Sequence, residues 1–377
     1  MKKLKVYPFY FPQLYAIPEN DTWWGEGFTD WKLVKESTPL FSGHFQPRVP
    51  KLGYLNQSMP KTIKTQCELA KEYGISGFNF YHYWFDGKVL LDSPARNLLN
   101  DTSIDFEYFF TWANENWTKQ WVGDAQTLLI KNSYTRSEEL WEQHFSYLLN
   151  FFRDKRYVKV DNKPIFCIYR PEIILNLEEF IDFFNKRALD SGFDGLHFIA
   201  MRAYEIYNPE SVYKKFDAIV NFQPRYAVNK YLSKRSASVK KLESIARTLP
   251  EKWQAVIANV MKRNSYTTYS YTDYLATLDK SSDLKFLDKT CYQAIFPDWD
   301  NTARYNQRAT FFSDVSLAGF KYALDVAATN VESDSERFLF VNAWNEWSEG
   351  AYLEPDEKFG FEKLEAIKEL VIKTENK

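Results

Sequence analysis

Cysteine and histidine are scarce in this chain, and their scarcity excludes several classes of protein. Three cysteines, Cys67, Cys167 and Cys291, are spread over 377 residues. They form no C-x-x-C pair and their number is odd. Free thiols in a reducing compartment are therefore expected, rather than a disulfide framework or a thiolate metal site. The four histidines, His44, His82, His144 and His197, show no ligand spacing, so no metal is expected. No apolar run approaches the roughly 18–20 residues that span a bilayer. The basic start Lys2-Lys3 leads straight into Val6-Tyr7-Pro8-Phe9-Tyr10, without the apolar segment and small-residue cleavage site of a signal peptide, which predicts a cytoplasmic protein. An excess of one charge is also lacking. Lys and Arg number 48 against 50 Asp and Glu, a net charge of -2, and concentrate only mildly between Lys230 and Lys262. Neither nucleic acid nor an anionic membrane surface has an electrostatic hold on such a chain. No glycine-rich phosphate loop follows the first strand-like run, and no cofactor is expected.

Aromatic residues are abundant, at 18%, which suits a site that binds ligands with flat or apolar faces. Eight short apolar or aromatic runs lack helical periodicity and read as strands: Lys5 to Phe11, Gly77 to Trp84, Phe106 to Trp112, Pro164 to Tyr169, Leu196 to Met201, Ala218 to Phe222, Thr290 to Phe296 and Phe338 to Ala343. Helical patterns lie at Pro60 to Tyr73, Ser137 to Asp154, Leu177 to Leu189, Ser238 to Met261, Thr302 to Leu317 and Phe361 to Thr374. Strands too apolar to be half-exposed, alternating with helices, predict a parallel sheet covered by helices. Eight units closing on themselves make a (β/α)8 barrel of the α/β class; an open doubly wound sheet is the runner-up. Residues 1–377 read as a single barrel domain. Long insertions follow the first and sixth strands, Pro12 to Met59 and Arg225 to Asp288, and so fall on the catalytic face.

The ends of barrel strands carry chemistry. Here they present Tyr10, Phe11 and Gln13; His82-Tyr83-Trp84-Phe85; Trp112-Ala113-Asn114-Glu115-Asn116-Trp117; Tyr169-Arg170; Arg202; Gln223-Pro224-Arg225; Asp298-Trp299-Asp300-Asn301; and Trp344-Asn345-Glu346-Trp347-Ser348-Glu349-Gly350. An aromatic beside a polar partner at most ends describes a carbohydrate cleft, where rings stack on sugars and polar groups read hydroxyls. The candidate sugar-binding residues are Tyr10, Trp24, His82, Tyr83, Trp84, Trp112, Asn114, Glu115, Arg170, Arg202, Gln223, Asp298, Trp299, Asn345 and Trp347. Some have an equally good structural reading. His82 suits a satisfied core histidine as well as a ligand to sugar, and Arg170 and Arg202 suit structural ion pairs as well as a site role; Glu115 suits a site role better than a loop cap. Asp298-x-Asp300 has the form of a metal-binding D-x-D, but the pattern is short and common by chance.

The last strand end carries the strongest signal. Glu346 and Glu349 are close enough in sequence to share one cleft, beside Trp344 and Trp347. Glycoside cleavage needs one carboxyl group held protonated for the leaving oxygen and another as base or nucleophile. An indole lowers the local dielectric and so raises a neighbouring carboxyl pKa.

Six segments together resemble the WbsX-type proteins of the glycoside hydrolase family 99-like group. They are Tyr7-Pro8-Phe9-Tyr10-Phe11-Pro12-Gln13, Trp24-Gly25-Glu26-Gly27-Phe28-Thr29-Asp30-Trp31, Gly77-Phe78-Asn79-Phe80-Tyr81-His82-Tyr83-Trp84, Trp112-Ala113-Asn114-Glu115-Asn116-Trp117, Asp298-Trp299-Asp300-Asn301 and the Glu346/Glu349 segment. They run in order through nearly the whole chain. The resemblance implies a (β/α)8 barrel and retaining cleavage of α-mannosidic bonds. By it, Glu346 is the base that deprotonates a sugar 2-hydroxyl to form a 1,2-anhydro sugar, and Glu349 is the general acid/base.

Three functions remain open on the sequence. One is a glycoside hydrolase acting on a bacterial surface or related polysaccharide. The second is a glycosyltransferase of O-antigen or capsular polysaccharide biosynthesis. The third is a non-catalytic glycan-binding barrel, which would not need both glutamates. A variant of the first would make Glu115 the acid/base and Glu346 a true nucleophile. The expected partner is an oligo- or polysaccharide; the oligomeric state is left open.

Overall fold

The computed structural model describes residues 2–119, 124–134, 136–204, 206, 208–233, 266–278, 285–331 and 336–376. Eight parallel strands close into a barrel: β1 (Lys5–Tyr10), β2 (Gly77–Phe85), β3 (Glu107–Trp112), β4 (Lys163–Ile168), β5 (His197–Arg202), β6 (Ala218–Asn221), β7 (Lys289–Ile295) and β8 (Phe338–Val341). Each pairs with its neighbour in chain order. Closure comes from β1 on β8, with Lys5 opposite Phe338 and Pro8 opposite Val341. All eight sequence-predicted strands are present, with ends shifted by a residue or two.

Eight helices follow the strands: α1 (Pro60–Glu72), α2 (Ser93–Asn100), α3 (Glu138–Phe152), α4 (Leu177–Asp190), α5 (Pro209–Tyr213), α6 (Tyr271–Leu275), α7 (Leu317–Asn330) and α8 (Glu362–Glu375). The chain is a (β/α)8 TIM barrel. Local chemistry sets the helix limits. Pro60 starts α1 and Gly74, at φ +82°, lets the chain leave it. Ser137 caps α3 by accepting the Leu140 N–H at 3.3 Å, and Ser316 caps α7 through the Gly319 N–H at 3.1 Å. Ile63, Cys67 and Ala70 share the buried stripe of α1. All three cysteines are buried and free. Among the described residues no helix is long and apolar enough to cross a membrane.

The pleat of the strands divides the aromatics into two sets. Tyr7 meets Phe109 (ring centroids 5.0 Å), Phe9 meets Phe222 (5.3 Å) and Phe109 meets Phe340 (5.9 Å). These pairs join strands that are not neighbours, so their rings fill the barrel interior. The alternate residues face the helices: Tyr10 donates to Gln66 of α1 at 2.6 Å, Phe110 packs on Phe151 of α3, and Trp112 packs on Phe180 of α4.

One expected helix is not there. Thr302 to Leu317 divides into a short helix Thr302–Tyr305, a turn Asn306–Arg308 and a strand Thr310–Ser313 that pairs with Thr267–Ser270. Asn306 at φ +48° breaks the helix, and the β-branched and aromatic run Thr310-Phe311-Phe312 favours strand. Helix α7, which the sequence reading missed, begins only at Leu317. The expected helix Ser238 to Met261 lies outside the described residues. The first insertion contributes two short helices, Pro18–Trp24 and Asp30–Glu36.

Gly77 opens β2 where the backbone of β3 approaches it. A Cβ there would lie 2.3 Å from the Glu107 carbonyl oxygen, in a strand that cannot move alone. Gly77→Ala is expected to cost about 1–3 kcal/mol through overpacking, read as a lowered denaturation midpoint; an unchanged midpoint would refute the tight β2–β3 approach.

Candidate active site

The segment after β8 is bolted to the end of β1. Asn345 accepts the Phe11 N–H at 2.7 Å through Oδ1 and donates through Nδ2 to the Phe11 carbonyl at 3.0 Å. Asn345–Glu346 then pairs antiparallel with Ala351–Tyr352, and Trp347–Glu349 forms one tight turn between them. Gly350 closes the turn at φ +65°, where a Cβ would sit 2.9 Å from backbone atoms of Asp300; only glycine fits. The Asp300 N–H donates to the Glu349 carbonyl at 2.7 Å, tying the β7 loop to the same turn. Glu346 and Glu349 are thus carried by backbone fastened on two sides.

Both side chains meet Arg304. Its Nη2 donates to Glu346 Oε1 at 2.8 Å and to Asp30 Oδ2 at 2.9 Å, and its Nη1 donates to Glu349 Oε1. Ser348 Oγ also donates to Asp30 Oδ2. One guanidinium therefore holds three carboxylates, and it packs over the Phe11 ring at 5.1 Å. Asp30, Glu346 and Glu349 are 1%, 5% and 8% exposed. One positive charge cannot offset three buried negative ones, so the cluster retains a proton. Burial pushes the Glu346 carboxyl up to about 8; Arg304 opposes that rise, and Glu349 and Asp30 add to it.

Above the pair opens a cleft of about 270 Å³. Of the sequence-predicted residues, Trp24, Tyr83, Glu115, Trp299, Glu346 and Glu349 line it together. Glu115 Oε1 accepts from Arg170 Nη1 at 2.5 Å on one wall. Trp24 and Trp299 bring indoles to the cleft, Tyr83 a phenol.

The other candidates lie elsewhere, each for a physical reason. Tyr10, His82, Trp84 and Trp112 fall on the outer pleat of their strands. His82 Nε2 lies 2.9 Å from His144 Nε2 and stacks on Tyr147; burial alone lowers its pKa to about 3, so it is a neutral core histidine. Trp84 stacks on His144 at 4.6 Å, and Trp112 Nε1 donates to the Trp84 carbonyl at 3.2 Å. Asn114 exchanges hydrogen bonds with the Arg170 backbone, at 2.9 and 2.8 Å, and joins the β3 and β4 ends. Arg170 is spent on Glu115 and Glu172. Arg202 donates to Asn221 Oδ1 and Tyr226 OH, both at 2.8 Å, within the core. Gln223 Oε1 accepts the Ala227 N–H at 3.1 Å. Asn345 is the clamp described above.

Trp347 stacks on Tyr352 at 3.8 Å and donates to buried Glu354 at 2.7 Å, behind the turn that carries Glu346 and Glu349. Asp298 turns away from the cleft, on the far side of the loop from Trp299. It accepts from Arg48 at 2.7 Å, and Asp300 accepts from Gln46 at 2.6 Å and Arg48 at 3.3 Å. The D-x-D is an ion-paired loop, and among the described residues no His, Cys, Asp and Glu group could hold a metal.

Several cleft residues escaped the sequence reading: Asp30, Tyr81, Tyr204, Asn342, Arg304 and Tyr305, of which Asp30 supports the cluster and the others line the cleft, as does Tyr169 at the β4 end. Tyr81 was within reach, because it shares the inner pleat with Tyr83. Arg304 carried no signal: it lay in a segment patterned as a continuous helix, and nothing local marks an arginine as the partner of acids 42 and 45 residues on.

A model of the family described as glycosyltransferase WbsX matches residues 6–367. Two proteins named WxcX, from two strains of Xanthomonas campestris pv. campestris, are 30% identical over 368 residues, 96% of this chain and 48% of theirs. The chain spans about half the length of these curated relatives. Among solved structures, a GH99 endo-alpha-mannosidase from Bacteroides thetaiotaomicron in complex with BIS-TRIS-propane superposes with TM-score 0.55 at 14% identity, covering 98% of this chain and 97% of that one. A glycoside hydrolase-like protein superposes with TM-score 0.56 at 14% identity, over 98% and 94%. At such identity these neighbours speak to the fold alone.

Arg304→Met would strand three buried carboxylates. We expect a loss of about 3–5 kcal/mol near neutral pH. Without the cation the carboxyl pKa values rise further in the fold, so the protonated forms are favoured there and stability is lost as pH rises. The gap in melting temperature to wild type should therefore narrow from pH 8 to pH 5. A gap independent of pH would show that Arg304 does not neutralise the cluster.

Proposed function

The chain belongs to the family described as glycosyltransferase WbsX, and from that premise we propose that this carbohydrate-active enzyme cleaves α-mannoside-type glycosidic bonds, in a bacterial surface or related polysaccharide, with retention. The observation that carries the reading is the pair Glu346 and Glu349, held side by side on Arg304 at the floor of an aromatic cleft.

In the reaction, ionised Glu346 takes the proton of the sugar 2-hydroxyl. That oxygen attacks the anomeric carbon and the glycosidic bond breaks, while Glu349 gives its proton to the leaving oxygen. The product of this step is a 1,2-anhydro sugar. Water then opens it at the anomeric carbon, giving its proton to Glu349 as Glu346 returns a proton to the 2-oxygen. Two inversions give net retention, and the chemistry is the substrate-assisted kind rather than the two-carboxylate nucleophilic scheme. A carboxylate whose pKa lies near 8 is a stronger base than an ordinary one and is matched to working pH. Arg304 keeps both carboxyls at a fixed spacing, and the Trp24 and Trp299 indoles offer faces for the sugar rings.

The family's description favours a second reading, in which a sugar hydroxyl rather than water opens the anhydro sugar and the outcome is transfer. The two differ only in the second nucleophile.

Glu346→Gln and Glu349→Gln should each reduce turnover of an α-mannoside by about 10²–10⁴-fold or more, measured as new reducing ends by mass spectrometry. A 2-deoxy analogue should be inert with wild type, because it lacks the internal nucleophile. Cleavage of that analogue would overturn the anhydro-sugar route, and normal turnover in both variants would overturn the pair. Glu346 must be ionised to act as base and its carboxyl is pushed up to about 8, so kcat/KM should rise as pH rises through that value. A profile flat from pH 6 to pH 9 would contradict Glu346 as the base.

A further inference from the structure

Among the described residues, one cation in the cleft has no ionic partner. Arg225 follows β6 in the sequence Gln223-Pro224-Arg225 and lines the cleft with Glu346 and Glu349. Its neighbouring arginines are occupied: Arg304 by three carboxylates, Arg170 by Glu115 and Glu172. Among the described residues no carboxylate lies within 4.0 Å of Arg225. Its one hydrogen bond, Nη1 to Tyr204 OH, is long at 3.3 Å. The Tyr169 and Tyr204 phenols and, at longer range, Glu349 and Glu115 favour its charged form against the cost of burial. A half-buried guanidinium normally recovers its lost hydration through an ion pair or several hydrogen bonds. Among the described residues its other guanidinium donors have no hydrogen-bond partner, and the residue lines the cleft.

A guanidinium is a fork matched to an oxyanion with two coplanar or near-coplanar oxygens, and it binds such a group far better than it binds a sugar hydroxyl. We propose that Arg225 is a specificity-determining residue that binds an anionic group on the substrate glycan: the carboxylate of a uronic acid residue or the phosphate of a glycosyl phosphate. The proposal rests on the reading of the cleft as glycan-cleaving and narrows its substrate class from neutral to acidic saccharides. Glu115, engaged by Arg170 on the wall, leaves the Arg225 fork for the ligand. The aromatic surfaces of Trp24 and Trp299 would hold the ring that bears the charge.

The test is equilibrium binding to the full chain, followed by quenching of the cleft tryptophans. The probes are an α-linked mannuronate disaccharide, neutral α-mannobiose and mannose 1-phosphate. Wild type should bind an anionic probe about tenfold or more tighter than the neutral one. Arg225→Gln should reduce that preference to within about twofold, Arg225→Lys should keep part of it, and added salt should weaken it in wild type. A preference shown by mannose 1-phosphate and not by the uronate assigns the anion to a glycosyl phosphate; the reverse assigns it to a uronic acid. No preference in wild type, or a preference that survives Arg225→Gln in a variant with unaltered circular dichroism, overturns the proposal. A preference that depends on Arg225 in a protein that cleaves none of the probes and no α-mannoside would retain the anion site and reject the glycan-cleaving reading.

Discussion

Asp30, Glu346 and Glu349 would repel one another in a buried site, and Arg304 is what allows them to share it. The four residues come from the first insertion, the loop after β7 and the loop after β8. Their meeting is therefore also a constraint on how those loops close over the barrel mouth. Ser348 on Asp30 and Asp300 on the Glu349 carbonyl extend the same constraint into backbone. One cation among three acids leaves the cluster short of positive charge. That shortfall, with burial, is what raises the Glu346 carboxyl.

Around this cluster the barrel supplies rigidity by aromatic packing. Rings from strands that are not neighbours interlock through the interior, as Phe9 with Phe222 and Phe109 with Phe340. Behind the Glu346/Glu349 turn a second chain of contacts runs outward: Trp347 to Glu354 at 2.7 Å, Glu354 to Gln66 at 2.6 Å, and Gln66 to Tyr10 at 2.6 Å. Burial pushes Glu354 up to about 7, so this relay too is built on a carboxyl that favours its neutral form. The turn is held from the front by charge and from the back by hydrogen-bonded aromatics.

The conspicuous Asp298-Trp299-Asp300 segment shows how one loop serves two sides. Trp299 faces the cleft, while Asp298 and Asp300 face away and are paired with Arg48. Hydrogen bonds from His44 and Thr302, with the Arg48 charge, hold the Asp300 carboxyl well below the usual carboxylate range. Its charge is structural, the opposite of Glu346 in the turn to which the Asp300 N–H is bonded.

Local pattern determined the barrel, its eight strands and the pairing of Glu346 with Glu349. Strand identity rests on runs of apolar residues with turn signals between them, and Glu346 and Glu349 are close enough in sequence that one tight turn must bring them together. Which aromatic faced the cleft was a different matter. A strand puts successive side chains on opposite sides, so Tyr83 reached the cleft while His82 and Trp84 entered the helix layer; a shift of one residue decides it, and strand-end position alone does not reveal the phase. Polar residues such as Asn114, Gln223 and Asn345 looked like ligands for hydroxyls but were needed for backbone groups at the loop junctions, where buried N–H and C=O must be paired. The meeting of Arg304 with Asp30 and the two glutamates, and the place of Arg225 in the cleft with no carboxylate beside it among the described residues, were decided by tertiary structure alone. Electrostatic partners are chosen by distance in space, and no local period records that distance.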